Sequence, residues 1–176
     1  YNCSNLTTVS ITGNQTSIGG SAFYNCSALV TVDIPSTVTK IEPRTFRACS
    51  SLKNVEFSAL LTSIGEYSFR KCTSLQSGTL PDGVISIDKY AFEGCTSLSS
   101  VLIPESVQTF GSASFQNLAS PSTITVSTQE QYNLLSGNKN YVSTDRTTVM
   151  IAETEPSWYE LFLDETSTFA IEATAN

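Results

Sequence analysis

The 176-residue chain contains no histidine at all. That absence removes Ser-His-Asp and Cys-His nucleophile activation, His-ligated zinc and the commonest general base near neutral pH. No apolar run reaches the 18 or so residues of a membrane-crossing helix, so no transmembrane segment is expected. Charge is scarce too, at 14% of residues. All nine basic side chains precede residue 151, whereas Glu153, Glu155, Glu160, Asp164, Glu165 and Glu172 follow it, so most of the net charge of -7 gathers at the acidic end. No run of Lys and Arg interleaves with aromatics, which argues against nucleic acid or an anionic membrane as a partner. The cysteines never occur as C-x-x-C, the short spacing of zinc ribbons, and neither a metal nor a cofactor is expected.

What the chain does have is hydroxyls and a period. Its 27 Ser and 23 Thr make up about 28% of the residues, as in chains of many short strands and turns, where hydroxyls satisfy backbone groups locally. Cys3, Cys26, Cys49, Cys72 and Cys95 recur at a constant step of 23 residues, as do Phe23, Phe46, Phe69, Phe92 and Phe115. Leu6, Leu29, Leu52, Leu75 and Leu98 stand in the same register. So do Val9, Val32, Val55, Val101 and Ile124, interrupted by Gly78, and Ile18, Ile41, Ile64, Ile87 and Phe110. A period of this length with several apolar columns is that of leucine-rich repeats, in which one unit cannot bury its apolar face without neighbours.

The segments AFYNCSALVTVDIPSTVTKIE and AFEGCTSLSSVLIPESVQTFG resemble the BspA-like, treponemal-type leucine-rich repeats. The resemblance covers about residues 1–126. Ser58 stands where the pattern has Pro, Gly78 where it has Val, and Leu118 where a sixth Cys would fall. The expected fold is therefore a mainly β repeat solenoid: a right-handed leucine-rich-repeat coil of 23-residue units with short parallel strands and irregular or 3₁₀-like arcs. About five and a half units at roughly 4.8 Å each make a rod of about 25 Å. Since Tyr1-Asn2-Cys3 falls in mid-unit, the chain is expected to be the C-terminal part of a longer solenoid. Its first coil should expose apolar core and either fray or pack against another molecule, self-association included.

Within a unit, Val32-Asp33-Ile34 alternates, so Val and Ile point inward and a short strand results. Pro35, Pro81 and Pro104 end that strand. A second extended piece is expected at 38–41 and 84–87, after which Gly19, Gly65 or Gly111 turns the chain sharply. Residues 1–126 are read as the solenoid and 127–176 as a C-terminal cap. In the cap, Thr128-Gln129-Glu130-Gln131 has the pattern of a capping box, Tyr132, Leu134 and Leu135 form an apolar face, and Gly137 stops a helix over 128–136. A strand is expected at 147–153, with further cap strands at the acidic end.

The alternation leaves Thr31, Asp33, Asn54, Glu56, Ser77, Thr79, Ser100 and Leu102 facing out as a candidate ligand face. The hydroxyl after each Cys (Ser4, Ser27, Ser50, Thr73, Thr96) is expected to bond its own turn. A straight column of thiols cannot surround an ion tetrahedrally, and parallel Cβ vectors one coil apart are poorly placed for disulfides, so the cysteines read as small packing residues. Asn2, Asn5, Asn14 and Asn25 open glycosylation sequons, although ten Asn at this hydroxyl content predict about three by chance. Acids in the repeats are scattered, with only Asp33 and Glu56 in one outward column, and do not form a general acid and base pair. Arg44, Arg47, Arg70 and Lys71 flank the Phe column as either a basic stripe for an acidic ligand or a solubilising rim, and no exposed Tyr or Trp cluster is evident.

Absent catalytic machinery, the reading is a non-catalytic interaction module. The resemblance implies a cell-surface or secreted protein, adhesion to host extracellular-matrix proteins or other cells, and a protein or glycan ligand. The alternative is a structural spacer or assembly scaffold that presents another domain.

Overall fold

The computed structural model describes residues 1–76, 79–119, 121–143 and 146–152. Ser77, the end of the strand expected at 147–153 and the expected acidic-end strands lie outside the described residues. The chain winds into a parallel β solenoid. One side carries β1 (Thr8–Ser10), β3 (Thr31–Asp33), β7 (Ser100–Ile103), β9 (Ser122–Val126) and β10 (Thr147–Ile151); the other carries β2 (Ser17–Ile18), β4 (Lys40–Ile41), β5 (Ser63–Ile64), β6 (Ser86–Ile87) and β8 (Thr109–Phe110). Every pairing joins equivalent residues of adjacent coils, as in Val9 with Val32 and Val101 with Ile124. β-branched residues alternate with polar ones, so β3 and β7 bury every second side chain. The second extended piece contracts to two residues per coil, yet it makes the longer ladder, five strands through Ile18, Ile41, Ile64, Ile87 and Phe110. Between the sheets, Pro35, Pro81 and Pro104 accept from Val38, Val84 and Val107 N–H, so each proline opens a turn, and Pro35 and Pro104 do so just after β3 and β7. Ser58, in the proline position, holds the same turn and sends its hydroxyl to Ser36 O at 2.6 Å.

The arc through Phe and Cys is not a 3₁₀ helix. The residues two before and two after each Phe have positive φ, among them Ser21 (58°) and Asn25 (57°), Arg44 (61°) and Ala48 (62°), and Tyr67 (58°) and Lys71 (61°). These left-handed residues turn alternate N–H groups out of the coil. Phe46 N–H donates to Ser68 O of the next coil at 2.8 Å, whereas Arg47 N–H closes a local turn on Arg44 O. The arc is thus a string of turns hydrogen-bonded to its neighbour, and continuous local bonding is impossible.

The glycines do something other than expected. Gly19, Gly65 and Gly111 lack positive φ and do not act as left-handed turns. Gly65 and Gly111 are places of close approach: a Cβ at Gly111 would collide with Lys89 N and Asp88 C, both backbone atoms that cannot move aside. At Gly19 a Cβ would meet nothing within 4 Å. Gly111→Ala is accordingly expected to cost about 3 kcal/mol and Gly19→Ala less than about 0.5. Urea midpoints of the two variants check this, and equal midpoints would contradict it.

Inside, Phe23, Phe46, Phe69, Phe92 and Phe115 stack with centroids 5.3 to 5.7 Å apart. Cys26, Cys49, Cys72 and Cys95 are buried beside them. Cys3 departs from this column: it is exposed, and Phe23 is only half-buried. Leu6, Val9 and Ile11 are likewise half-buried, whereas Leu29 and Val32 are buried. The first coil is nonetheless built like the rest, with Asn2 N–H on Tyr24 O at 2.7 Å. The cysteines are also more than packing. Cys49, Cys72 and Cys95 donate Sγ–H to Phe23, Phe46 and Phe69 O of the preceding coil at 3.0, 3.1 and 3.2 Å. All five are free thiols.

The hydroxyls after Cys do not bond their own turns. Ser50, Thr73 and Thr96 donate one coil back, to Ser27, Ser50 and Thr73 O. Thr39 and Thr62 form a second such ladder on Thr16 and Thr39 O. Much of the Ser and Thr content therefore staples coils together.

Two hydroxyls are exceptions. In the column just before Phe, Ser68 Oγ and Ser114 Oγ are buried without a partner, while Thr45 in the same column bonds Glu42 O at 2.7 Å. Ala91 fills the equivalent place without difficulty. Ser68→Ala and Ser114→Ala are each expected to add about 1 kcal/mol of stability, since an unpaired hydroxyl leaves the core. Melting curves showing a loss in both variants would refute this.

After β9 the helix α1 (Gln129–Leu135) takes the place of a second-sheet strand. Thr128 caps it through the expected reciprocal box with Gln131. Its buried face is Gln131 and Leu135, with Tyr132 half-buried; Leu134, expected inward, is 38% exposed. Residues 131 and 135 are four apart and share a face, which turns 134 away. The Gln131 amide donates to Pro104 O at 2.9 Å and Val107 O at 3.0 Å and accepts from Ser127 N–H, so polar groups above the last two-residue strand are satisfied. β10 then pairs with β9 along five residues and carries the first sheet one coil further.

Candidate interaction surfaces

Along the first sheet, Thr31, Asp33, Asn54, Glu56, Thr79, Ser100 and Leu102 are all exposed. They fall into two columns. One joins Thr8, Thr31, Ser100 and Thr123; the other runs from Ser10 and Asp33 through Glu56 to Leu102, Thr125 and Met150. The second column grades from acidic at Asp33 and Glu56 to apolar at Leu102 (50% exposed) and Met150 (44%). Thr125 keeps the 23-residue step from Leu102, whereas Met150 escapes the sequence reading because the last step is 25 residues. Beside Leu102 lies a groove of about 710 Å³, lined by Leu80, Asp82, Pro104, Glu105 and Ser127 among others.

A second surface forms on the arc. Tyr24, Arg47, Tyr67, Arg70 and Tyr90 interleave: Arg47 Cζ lies 5.4 Å from the Tyr24 ring centre and 5.6 Å from that of Tyr67, and Arg70 Cζ lies 5.5 and 5.6 Å from Tyr67 and Tyr90. Arg44 adds a third guanidinium over Tyr67, at 5.3 Å. The Tyr67 and Tyr90 rings stack at 4.9 Å and 2°. Cation–π contacts at such partly exposed positions contribute about 0.5–1 kcal/mol each and hold the guanidinium planes in place. Arg70 is also ion-paired with Glu93, and the hydrogen bond to that carboxylate raises the Arg70 pKa. Tyr24, Tyr67 and Tyr90 are half-buried, so this ladder is a partly covered Tyr–Arg surface and not an exposed aromatic cluster on the strand face. Tyr67 and Tyr90 belong to the column two before Phe and Tyr24 to the column one after it, so no single column shows the cluster.

The repeat geometry has a counterpart among known proteins. A sequence model of the BspA type leucine rich repeat region matches residues 1–120 in six copies. The chain belongs to this family. Among curated proteins there is no significant match. The BspA-type solenoid is similar in structure to a leucine-rich repeat protein of Bacteroides ovatus, with 36% identity over 87% of this chain and a TM-score of 0.74. It is also similar to a leucine rich cell surface protein of Faecalibacterium prausnitzii, with 37% identity over 72% of the chain and a TM-score of 0.64. The chain spans 38% and 34% of the length of those two proteins. A leucine-rich repeat protein of Treponema pallidum, 25% identical over 83% of this chain, has a TM-score of 0.62, and 73% of its own length is covered.

The BspA-type repeat also accounts for two of the four sequons. Asn2 and Asn25 occupy left-handed positions (φ 55° and 57°), which Asn tolerates better than most residues, and Asn25 Nδ2 donates to Asn2 Oδ1 at 3.1 Å. Asn117 holds the same position (φ 54°) without being a sequon. Asn5 and Asn14 are exposed in the first coil. On the second-sheet side of the solenoid, a concavity of about 350 Å³ is lined by Glu66, Asp88, Lys89, Thr109, Phe110 and Gly111. Partial burial, then the charge of Glu66, raises the Asp88 pKa. Among the described residues no group of three or more Cys, Asp and Glu gathers to hold a metal ion, and no helix is long and apolar enough to cross a membrane.

Proposed function

We propose that this BspA-type solenoid is a non-catalytic cell-surface or secreted module that binds protein or glycan ligands through its strand face. Adhesion to host extracellular-matrix proteins or to other cells is the activity this reading assigns. The observation that carries it is the pair of outward columns on the first sheet: Thr31, Asp33, Asn54, Glu56, Thr79, Ser100 and Leu102 are exposed and contribute nothing to the Phe and Cys core. Such positions can change ligand preference without unfolding the rod. The description of the Faecalibacterium relative as a cell surface protein supports the location. In the same reading, residues 127–176 are the cap that closes the C-terminal end of the repeats.

The test is binding of the purified chain to immobilised matrix proteins, to a glycan array and to cultured cells. It is repeated with Asn54→Ala, Glu56→Lys and Leu102→Asp combined, after circular dichroism has confirmed folding. The expected result is a ligand whose binding falls at least about tenfold in the triple variant, the loss of roughly 1.4 kcal/mol or more. Binding unchanged by the triple variant sinks the strand-face assignment. No binding to any surface leaves the spacer reading in its place.

A further inference from the structure

We propose that the Tyr–Arg ladder on the arc, built around Tyr67, is a second binding site, and that its partner is an acidic segment of another protein. Three guanidiniums, those of Arg44, Arg47 and Arg70, converge within 5.6 Å of one ring, and Lys71 is exposed next to them in sequence. Four of the nine basic residues of a chain with net charge -7 are therefore gathered in two adjacent coils. Like charges held this close repel one another. Among the described residues Glu93 is the one carboxylate ion-paired to them, and it engages Arg70 only. An incoming carboxylate relieves that repulsion, and the concentration of four cations in two coils favours an acidic partner here.

Two further features favour a protein partner. Tyr and Arg are the residues enriched at the centres of protein interfaces, and stacking on the rings holds each guanidinium ready for bidentate carboxylate recognition. The cluster also sits where the backbone resists it. Arg44, Tyr67 and Tyr90 have φ of 61°, 58° and 55°, positions where Gly or Asn is less strained, yet large side chains occupy three successive coils. Packing of the core does not require them, since Ala113 fills the same column one coil on (φ 58°). The site is separate from the strand face and stands whether or not that face binds anything.

The experiment is fluorescence anisotropy at low ionic strength with a labelled oligoglutamate peptide as probe, an oligoglutamine peptide as control and heparin as a sulfated competitor. Wild type is expected to bind oligoglutamate, and the double variant Arg44→Gln with Arg47→Gln to bind at least about tenfold more weakly. The charge-matched double variant Lys40→Gln with Lys53→Gln, placed at β4 and ahead of the Val55 strand position, is expected to keep wild-type affinity. Arg47→Lys, which keeps the charge without the planar stack, should lose part of the affinity. Absence of oligoglutamate binding overturns the proposal. So does equal weakening in the two double variants, which would make the effect one of net charge. Heparin binding without oligoglutamate binding replaces the acidic protein segment by a sulfated glycan and rejects the partner named here.

Discussion

Replacing Phe69 by Ala is expected to cost about 3–5 kcal/mol, the range for truncating a fully buried aromatic. Phe69 is wholly buried and stacks on Phe46 at 5.3 Å and on Phe92 at 5.3 Å, while Phe57 meets its edge at 5.6 Å and 85°. Removing its ring breaks contacts toward both neighbouring coils and leaves a cavity that the rigid stack cannot close. Phe23 stacks on Phe46 at 5.4 Å and is only half-buried, so Phe23→Ala should cost less than about 2 kcal/mol. Stability in a solenoid is a sum of nearest-neighbour terms. A cut in the middle should therefore also uncouple the two halves, and Phe69→Ala should broaden or split the urea transition where Phe23→Ala does not. Matching midpoints and widths for the two variants would show that the stack is not a chain of neighbour couplings.

Between about pH 9 and 12 the protein is expected to lose stability steeply. Burial first, then the neighbouring Cys26, pushes the Cys49 thiol from its ordinary 9.0 up to about 12. Burial likewise drives Cys72 well above that ordinary value, with Cys95 and Cys49 adding to it, and burial raises Cys95. Above pH 9 the unfolded chain releases these protons while the folded chain keeps them. The unfolded state then binds fewer protons, so the free energy of unfolding falls as pH rises, by about 1.4 kcal/mol per pH unit for each such thiol. Below pH 9 the three groups contribute no slope. Urea midpoints taken across this window in wild type and in Cys72→Ala provide the check, because the variant should show a shallower decline. In the native state a thiol reagent should label exposed Cys3 quickly and the four buried thiols only on unfolding. A flat stability profile to pH 11, or several fast-reacting thiols, would rule out a closed, protonated column.

The hydroxyl and thiol ladders show why much of the site was hidden from the sequence. A column tells where a residue sits in its own coil. It does not tell which atom of the neighbouring coil lies under it. Cys72 reads as a packing residue, and only stacking brings its Sγ–H to Phe46 O; Thr73 reads as a turn hydroxyl, and only stacking gives it Ser50 O. The Gly111 column reads as a turn for the same reason, although its glycine is there for the backbone of Lys89.

By itself the sequence determined the period, the inward columns of Phe, Cys, Leu, Val and Ile, the alternation that turns Asp33, Glu56 and Leu102 outward, and the capping box of α1. Each of these depends on residues near one another in the chain or repeated at one step, and burial imposes that pattern directly. Only the tertiary structure decided what the outward columns make together. Tyr24, Arg47, Tyr67 and Arg70 come from three coils and two different columns, and they meet because coils stack about 5 Å apart, as neighbouring strands do, while the left-handed residues of the arc set the angle at which each side chain leaves it.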